Sequence, residues 1–228
     1  VFTGGLTVYT TIDPTLQECT EQAADEVYAE MARTGDDDVS LSLTCVDPHT
    51  GYVLAMVGGK SWETSQFNLA TSASGRQAGS SFKAFTVAAA IEQGISPRTA
   101  IDCSTGYENP AWREPVTNYG GANYGNLSIE SMTWVSANTG FARLLTDPDG
   151  VSPESLLEMA ARLGVSGESR YGYGAYPALT LGAAQTNTLR MASAYGVFAA
   201  GGARYADTCI IEATARDGTR LIDHTSPQ

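Results

Sequence analysis

Strictly alternating hydrophobic and polar residues mark the clearest strand of the chain. Residues 39–45 place four hydrophobic side chains two positions apart, with Ser, Ser and Thr between them, which predicts a strand with one buried face. A turn sequence follows at 47–51, and residues 52–57 form a second, mostly apolar segment. The three segments together predict an antiparallel β-hairpin.

The first helix is predicted from the residues at its two ends. Residues 6–11 favour a short strand, after which Asp13 can cap a helix whose first turn contains Pro14. The helical pattern continues to Arg33, and Gly35 follows as a terminator. A strand and a long helix are therefore expected before the hairpin.

Helical patterns fill the middle of the chain, and a second hairpin follows them. Residues 80–93, before Gly94, are apolar on nearly every side, which is typical of a central, buried helix. Further helices are predicted at 128–135, 139–145, 153–163 and 188–200, and two further strands at 208–215 and 219–222. Strands near both ends with helices between them predict an α+β fold, with a helical cluster beside an antiparallel sheet.

Composition and charge restrict the possible functions. The 228 residues are 43% hydrophobic, enough to bury a large core, and they carry a net charge of −12. Phosphate backbones are bound by clustered Lys and Arg, which this chain lacks, so no nucleic-acid partner is expected. No metal or cofactor is predicted, because neither a zinc-type motif nor an EF-hand spacing occurs.

Four cysteines are spread along the chain without a C-x-x-C pair: Cys19, Cys45, Cys103 and Cys209. This spacing argues against a zinc or redox motif. Two interpretations of the cysteines stay open. They are buried free thiols, or they form one or two disulfides in an exported protein. The sequence does not select among the possible pairings.

The hydropathy pattern contains no membrane span. No apolar run reaches the roughly 18 residues that a transmembrane helix needs, and no signal peptide precedes Val1. Because the chain begins without Met, we interpret it as an excised piece of a longer protein, with any targeting segment upstream.

One serine and one lysine carry the candidate chemistry. Ser80 and Lys83 lie three residues apart, so on a helix they share a face and can bring hydroxyl and amine within hydrogen-bond reach. Burial in an apolar helix lowers the pKa of a lysine, which makes Lys83 a candidate base for a serine hydroxyl that is otherwise a poor nucleophile. In the alternative interpretation, Ser80 only caps the helix and Lys83 extends to water.

A second short motif, Ser136-Ala137-Asn138, stands at the break between two predicted helices. Side chains at such a break can project into a cleft instead of packing in a core. By itself S-x-N is a common helix-end sequence. About fifty residues after S-x-x-K, however, it matches the second box of the penicillin-recognising serine enzymes.

Longer segments resemble one known family. They are GGLTVYTTIDPTLQ (4–17), DPHTGYVLAMVGG (47–59), GRQAGSSFKAF (75–85), SIESMTWVSANTGFARL (128–144) and LTLGAAQTNTLRMASAYGVFAAGG (179–202). In this order they resemble the transpeptidase domain of class A, bifunctional penicillin-binding proteins, although a proline is more usual in place of Ala78 or Ala84. The resemblance implies the penicillin-binding/β-lactamase-like transpeptidase fold.

The resemblance also implies roles for four side chains. Ser80 would be the acylated nucleophile, Lys83 its base, Ser136 a proton relay to the leaving amine, and Asn138 a hydrogen-bond partner of the substrate's amide side chain. The family acts on peptidoglycan stem peptides ending in D-Ala-D-Ala, and β-lactam antibiotics are trapped on the serine as slowly hydrolysed esters. Such a protein is extracytoplasmic, with a membrane anchor and a glycosyltransferase domain before Val1.

One part of the family pattern is missing. The third box, Lys-Thr/Ser-Gly, does not occur, since no lysine follows Lys83. We expect residues 1–35 to be a lead-in strand and helix from an interdomain junction, and residues 36–228 to be a transpeptidase domain without its C-terminal strands. Beside the backbone N–H of Ser80, the missing strand would supply the second oxyanion donor, whose loss costs about 10²–10³ in rate. The chain alone is therefore expected to be impaired, or to be completed by a second polypeptide.

Other functions share parts of this pattern. A β-lactamase needs a deacylating glutamate, and the segment from Glu154 to Glu158 approaches the E-x-x-L-N pattern with a glutamate in place of the asparagine. A D,D-carboxypeptidase uses water as the acceptor, whereas a non-catalytic β-lactam sensor or scaffold keeps the fold without the chemistry. A Ser-His-Asp hydrolase is not expected, because G-x-S-x-G is absent and His49 and His224 lie in a turn and in the tail.

Overall fold

The computed structural model describes residues 5–36, 38–168 and 171–225. The remaining residues of the two predicted domains lie outside the described part. By its internal contacts the chain divides into two compact units, residues 1–75 with 187–228 and residues 76–186. The expected domain boundary at residue 35 stays a prediction.

The helices and strands follow in chain order. They are β1 (Thr7–Thr10), α1 (Pro14–Thr34), β2 (Leu43–Val46), β3 (Val53–Val57), β4 (Arg76–Gln77), α2 (Lys83–Glu92), β5 (Ala100–Asp102), β6 (Asn126–Ser128), α3 (Ile129–Trp134), α4 (Asn138–Thr146), α5 (Pro153–Arg162), β7 (Gln185–Thr186), α6 (Thr188–Ala199), β8 (Ile210–Thr214) and β9 (Arg220–Asp223). Short 3₁₀ turns include Gly79–Phe82 and Pro177–Leu181.

A three-stranded antiparallel sheet in the first unit joins distant parts of the chain. Its central strand is β8, with β1 on one side and β9 on the other. The predicted second hairpin is therefore confirmed, and the predicted lead-in strand pairs with it. The first helix is also confirmed, because the Asp13 carboxylate accepts hydrogen bonds from the backbone N–H of Thr15 (2.9 Å) and Leu16 (3.0 Å), and Gly35 ends the helix at φ +83°.

The first predicted hairpin forms, but its first strand is shorter than expected. Strand β2 pairs with β3 from Leu43, opposite Val57, and not from residue 39. The reason lies in α1, where the Tyr28 hydroxyl accepts a hydrogen bond from the backbone N–H of Leu41 (3.1 Å) and lies 3.3 Å from its carbonyl. Residue 41 is thus bound by a side chain instead of a neighbouring strand.

The second unit contains α2 to α5 around a dense core. Helix α2 contacts α3, α4 and α5. The largest fully buried side chains of the whole described chain all belong to this unit: Phe82, Phe85, Phe141, Ile129, Met132, Leu144, Leu156, Leu179, Val151, Val165, Thr86 and Thr139. One expectation needs correction, because Ile91 of α2 is 52% exposed and the helix is not buried on every side. The alternation of buried and exposed positions reflects its contact with helices on only part of its surface.

The predicted α+β class is confirmed, while the antiparallel pairing is divided among small sheets. Within the described residues there are four sheets, of which three have only two strands. The pairs β4–β7 and β5–β6 escaped prediction because strands of two or three residues carry no periodic signal. None of the described helices is long and apolar enough to cross a membrane.

The four cysteines are free thiols in different environments. Cys103 is buried and Cys45 is half-buried, whereas Cys19 and Cys209 are exposed. The expectation of buried thiols therefore holds in full only for Cys103. Burial raises the pKa of the Cys103 thiol and keeps it protonated.

Candidate active site

Ser80 lies in a tight 3₁₀ turn that leads directly into α2. An α-helix was expected from residue 80, but the α-helical part begins only at Lys83. A 3₁₀ turn has three residues per turn, so it places residues i and i+3 directly in line. The Nζ atom of Lys83 accordingly lies 3.1 Å from the Oγ atom of Ser80.

Residues 182–184 hold this turn through the backbone. The N–H of Gly79 donates to the carbonyl of Gly182, and the N–H of Ala78 donates to that of Ala184, both over 3.2 Å. Gly182 has φ +74°, and a Cβ atom there would overlap the backbone N and O atoms of Gly79. Only glycine permits this close approach. The position of Ser80 thus depends on a segment about a hundred residues later in the chain.

Ser136 lies in the junction between α3 and α4, where the predicted break is confirmed. The backbone N–H of Ala137 donates to the carbonyl of Met132 over 2.9 Å and ends α3. Ser136 then adopts φ +53°, the left-handed conformation that is uncommon for a residue other than glycine. In this conformation both its hydroxyl and its carbonyl oxygen lie close to Lys83, at 2.9 and 2.8 Å from Nζ.

The amine of Lys83 is the point where the four predicted site residues meet. Its Nζ atom is within hydrogen-bond distance of Ser80 Oγ, Ser136 Oγ, Ser136 O and Asn138 Oδ1, the last at 2.7 Å. An ammonium group has three protons and a neutral amine has two, so the four acceptors compete for them. The amine also lies 5.4 Å from the ring centre of Phe141.

Burial changes the acid-base behaviour of Lys83. The residue is only 3% exposed, and removal from water lowers its pKa from the ordinary 10.5 to about 8. No carboxylate is among its hydrogen-bond partners in the described chain to offset this effect. A substantial fraction of neutral amine is therefore available near physiological pH to accept the proton of Ser80.

The hydroxyls and the amide of the site face different surroundings from the amine. Ser80 and Ser136 are exposed and Asn138 is half-buried, so a molecule in solvent can reach them. The Nδ2 atom of Asn138 donates to the carbonyl of Thr117 over 3.1 Å, which uses one of its two protons. The arrangement combines an exposed nucleophile with an adjacent buried base, which suits nucleophilic catalysis.

Two residues that support this geometry were missed by sequence reasoning. The side chain of Asn118 is 4% exposed, and its Oδ1 atom accepts hydrogen bonds from Thr139 N and Thr139 Oγ1 at 3.1 and 3.2 Å. In sequence, Asn118 precedes Tyr-Gly-Gly and indicates only a turn. Gly182, described above, ends an apolar segment, and no local pattern predicts what its Cβ would meet.

The other residues weighed from the sequence lie elsewhere. Glu154 and Glu158 are exposed on α5. His49 follows β2 in a turn, and His224 Nδ1 lies 3.2 Å from Thr208 Oγ1. In the described part of the chain, no cluster of three or more His, Cys, Asp or Glu side chains is arranged to hold a metal ion.

Comparison with known proteins decides the family. The model of the penicillin binding protein transpeptidase domain matches residues 41–227. The chain belongs to this family. Penicillin-binding protein 1A of Mycobacterium tuberculosis is 32% identical over 231 residues, covering 97% of this chain and 27% of the relative. Penicillin-binding protein 2D of Bacillus subtilis is 29% identical over 225 residues, with 97% and 31% covered. The chain thus spans between a quarter and a third of the length of these relatives.

Solved penicillin-binding proteins share the fold. The structure of PonA1 from Mycobacterium tuberculosis in complex with penicillin V has a TM-score of 0.80 at 29% identity, covering 100% of this chain and 60% of that one. A D,D-transpeptidase domain from Eggerthella lenta has a TM-score of 0.73 at 20% identity, covering 96% and 60%, and supports the fold alone. The predicted family and its transpeptidase fold are confirmed.

Proposed function

We propose that this chain carries the D,D-transpeptidase chemistry of a penicillin-binding protein. It forms an acyl-enzyme on Ser80 from stem peptides ending in D-Ala-D-Ala and transfers the acyl group to the amine of a neighbouring stem. β-Lactams acylate the same hydroxyl. The observation that carries the proposal is the buried amine of Lys83, 3.1 Å from the Oγ atom of the exposed Ser80.

Acylation begins with proton transfer from Ser80 to the neutral amine of Lys83. The Oγ atom forms a bond to the carbonyl carbon of the D-Ala-D-Ala peptide, and the carbonyl π electrons move to its oxygen. The backbone N–H of Ser80 is one donor for this oxyanion, which also lies near the N-terminal end of α2 where negative charge is favoured. The lowered pKa of Lys83 supports the first step.

Collapse of the tetrahedral intermediate needs a proton on the leaving amine. Ser136 Oγ lies 2.9 Å from Lys83 Nζ, so the serine can pass its own proton to the departing D-Ala nitrogen and take one from the lysine. The C–N bond breaks and the ester on Ser80 remains. The amine of a second stem then attacks the ester, and the same groups return the proton to Ser80.

Asn138 orients the substrate in this proposal. One of its Nδ2 protons is bound to the Thr117 carbonyl and its Oδ1 atom to Lys83. The second Nδ2 proton is available to a carbonyl of the substrate's amide side chain. Asn138 therefore connects substrate binding to the position of the base.

The third box is supplied from outside the 228 residues in this proposal. No Lys-Thr/Ser-Gly sequence follows Lys83. A further strand, from the same protein or a second polypeptide, would add the second oxyanion donor and the binding group for the substrate carboxylate. The chain alone then acylates about 10²–10³ times more slowly than the completed site.

The whole protein works outside the cytoplasm in this proposal. A membrane anchor and a glycosyltransferase domain precede the chain, and residues 1–35 lead from that domain into the transpeptidase domain. The much greater length of penicillin-binding protein 1A, of which the chain covers 27%, supports this organisation.

A rapid β-lactamase is disfavoured by the position of the acidic residues. Glu154 and Glu158 are exposed on α5, and neither is a described hydrogen-bond partner of Ser80 or Lys83. Without a carboxylate to activate water, the ester has a long lifetime. The same reasoning favours transfer to an amine over hydrolysis.

The test is labelling with a fluorescent penicillin. Wild type and Ser81→Ala should form a covalent adduct, since the Ser81 hydroxyl donates to the carbonyl of Ala78. Ser80→Ala should form none, and mass spectrometry should place the adduct on Ser80. Absence of an adduct in the wild type, in this chain and in the chain with its third box, would favour the scaffold alternative.

Two further measurements separate the enzymes of this class. An adduct released within seconds would indicate a β-lactamase, whereas a persistent one supports a transpeptidase. A stem peptide ending in D-Ala-D-Ala, incubated with and without an acceptor amine, should give a cross-linked product only with the amine. Release of D-Ala at the same rate without it would indicate a carboxypeptidase.

A further inference from the structure

Helix α4 begins without a capping side chain of its own. Its N-cap residue is Ala137, which makes no side-chain hydrogen bond, and alanine is among the poorest N-caps. The helices that follow the usual rule supply their caps locally, from Asp13 for α1, Ser128 for α3, Ser152 for α5 and Asn187 for α6. The start of α4 is also where Asn138 contacts Lys83, so its stability affects the site.

Asn118, which lies 21 positions before Thr139, provides the missing cap. The Oδ1 atom of Asn118 accepts a hydrogen bond from the backbone N–H of Thr139, the second residue of α4. This N–H is one of those that a local cap binds in other helices. The Thr139 hydroxyl also donates to Asn118 Oδ1, so Thr139 makes two hydrogen bonds to this oxygen.

The other end of the Asn118 amide is fixed as well. Its Nδ2 atom donates to the carbonyls of Cys103 (2.9 Å) and Ala122 (3.0 Å), so donors and acceptors of the amide are all used. The neighbouring residue, Thr117, accepts the hydrogen bond of Asn138 Nδ2. Residues 117 and 118 therefore hold both the backbone of α4 and the side chain of Asn138.

We propose that Asn118 is a positioning residue of the active site. It caps α4 from a distance so that Asn138 keeps its contact with Lys83 and faces the amide side chain of the substrate. The local cap position is held by Ala137, which is fully buried and has no side-chain hydrogen-bonding group. The proposal rests on the function proposed above for Asn138.

The role predicts a specific dependence on the ligand. Loosening Asn138 affects ligands whose amide side chain it binds, and affects ligands without that group less. Benzylpenicillin carries such an amide, whereas 6-aminopenicillanic acid carries a free amine at the same position. A purely structural role lowers acylation by both compounds to the same degree.

The experiment compares Asn118→Ala with Asn187→Ala in the wild-type chain. Asn187 is a matched control, since it is 7% exposed, accepts from Arg190 N and donates to the carbonyl of Ser72, within the other unit. In Asn118→Ala the ratio of the acylation rates by benzylpenicillin and 6-aminopenicillanic acid should fall about tenfold, as for one lost hydrogen bond. In Asn187→Ala the ratio should stay at the wild-type value.

A conservative variant separates position from stability. Asn118→Asp keeps an oxygen for Thr139 but places a second oxygen against the carbonyls of Cys103 and Ala122. It should retain most of the wild-type ratio although it unfolds more easily. A ratio that is unchanged in Asn118→Ala, or equally lowered in Asn187→Ala, overturns the proposal.

A measurement without catalysis covers the case in which the wild type forms no adduct. That outcome contradicts the proposed function, and NMR then decides the positioning role alone. Asn118→Ala should accelerate hydrogen exchange at Thr139 N–H and shift the side-chain amide resonance of Asn138, with no such change in Asn187→Ala. An unshifted Asn138 resonance in Asn118→Ala overturns the positioning role.

Discussion

Two groups of helices in this molecule begin in different ways. Helices α1, α3, α5 and α6 each start at a side chain that caps them from the preceding residue. Helices α2 and α4, which carry Lys83 and Asn138, have Phe82 and Ala137 at their N-cap positions and no local cap hydrogen bond. The 3₁₀ turn that leads into α2 is held by Gly182, and the start of α4 is held by Asn118, and both of these residues are distant in sequence.

The difference shows how the fold separates chemistry from support. At α2 and α4 the positions next to the cap are taken by Ser80, Lys83, Ser136 and Asn138, whose side chains point to one another. A capping side chain there would compete for the same hydrogen bonds. Support is supplied instead by segments that contribute no reacting group.

Replacing Lys83 by Met removes the amine that connects α2 to Ser136 and Asn138. The rate of acylation by penicillin should fall about 10²–10⁴-fold, because the general base is lost. The free energy of unfolding at neutral pH should not fall, since a buried ammonium group destabilises the folded state. Labelling kinetics and thermal unfolding measure the two effects.

The chain offers one matched control for this change. Lys60→Met replaces the other lysine, which lies 5.6 Å from the ring centre of Tyr28 in the first unit, and acylation should not change.

Lys83 also makes the free energy of unfolding depend on pH, because its pKa of about 8 in the folded chain lies below the ordinary 10.5. Wild type should therefore gain stability between pH 8 and 10.5, where only the unfolded chain binds this proton, and Lys83→Met should lose that gain.

Gly182→Ala tests the distant support of α2. The added Cβ overlaps the backbone of Gly79, and the free energy of unfolding should fall by about 3 kcal/mol or more. Gly201→Ala is the control, because Gly201 also has a positive φ (+65°) but open space around its Cβ, and it should lose only about 1–2 kcal/mol. Equal losses in urea unfolding would show that the close approach at Gly79 has no energetic weight.

The pH dependence of acylation tests the buried base directly. Only the neutral amine of Lys83 accepts the proton of Ser80, so the rate should rise about tenfold per pH unit below the pKa and level off above about 8. Stopped-flow acylation by a chromogenic β-lactam gives this profile. A rate that stays constant through pH 8 contradicts the proposed role of Lys83.

Ser152→Ala tests the other side of the comparison and has the smallest expected effect. Ser152 accepts a hydrogen bond from Ser155 N at the start of α5, and its loss should cost about 1 kcal/mol of the free energy of unfolding. The acylation rate of the remaining folded protein should not change, in contrast to Asn118→Ala. A clear loss of rate in Ser152→Ala would remove the distinction between the two groups of helices.

Local signals in the sequence determined most of the elements. Asp13, Pro14 and Gly35 predicted the ends of α1. Alternation and a turn sequence predicted the hairpin β2–β3, and the turn residues Asp217 and Gly218 predicted the hairpin β8–β9. The S-x-x-K and S-x-N motifs, with the longer resemblance, indicated the four candidate site residues and the family. These signals act within a few residues of chain, so they do not depend on how distant segments pack.

Tertiary structure alone decided what surrounds those elements. The Tyr28 hydroxyl shortened β2, and the packing of distant segments brought Lys83 to residues 53 and 55 positions later. The cap that Asn118 provides for α4 and the approach of Gly182 to Gly79 belong to the same class. Such contacts depend on burial and on backbone positions of segments far apart in sequence, which no local pattern of residues encodes.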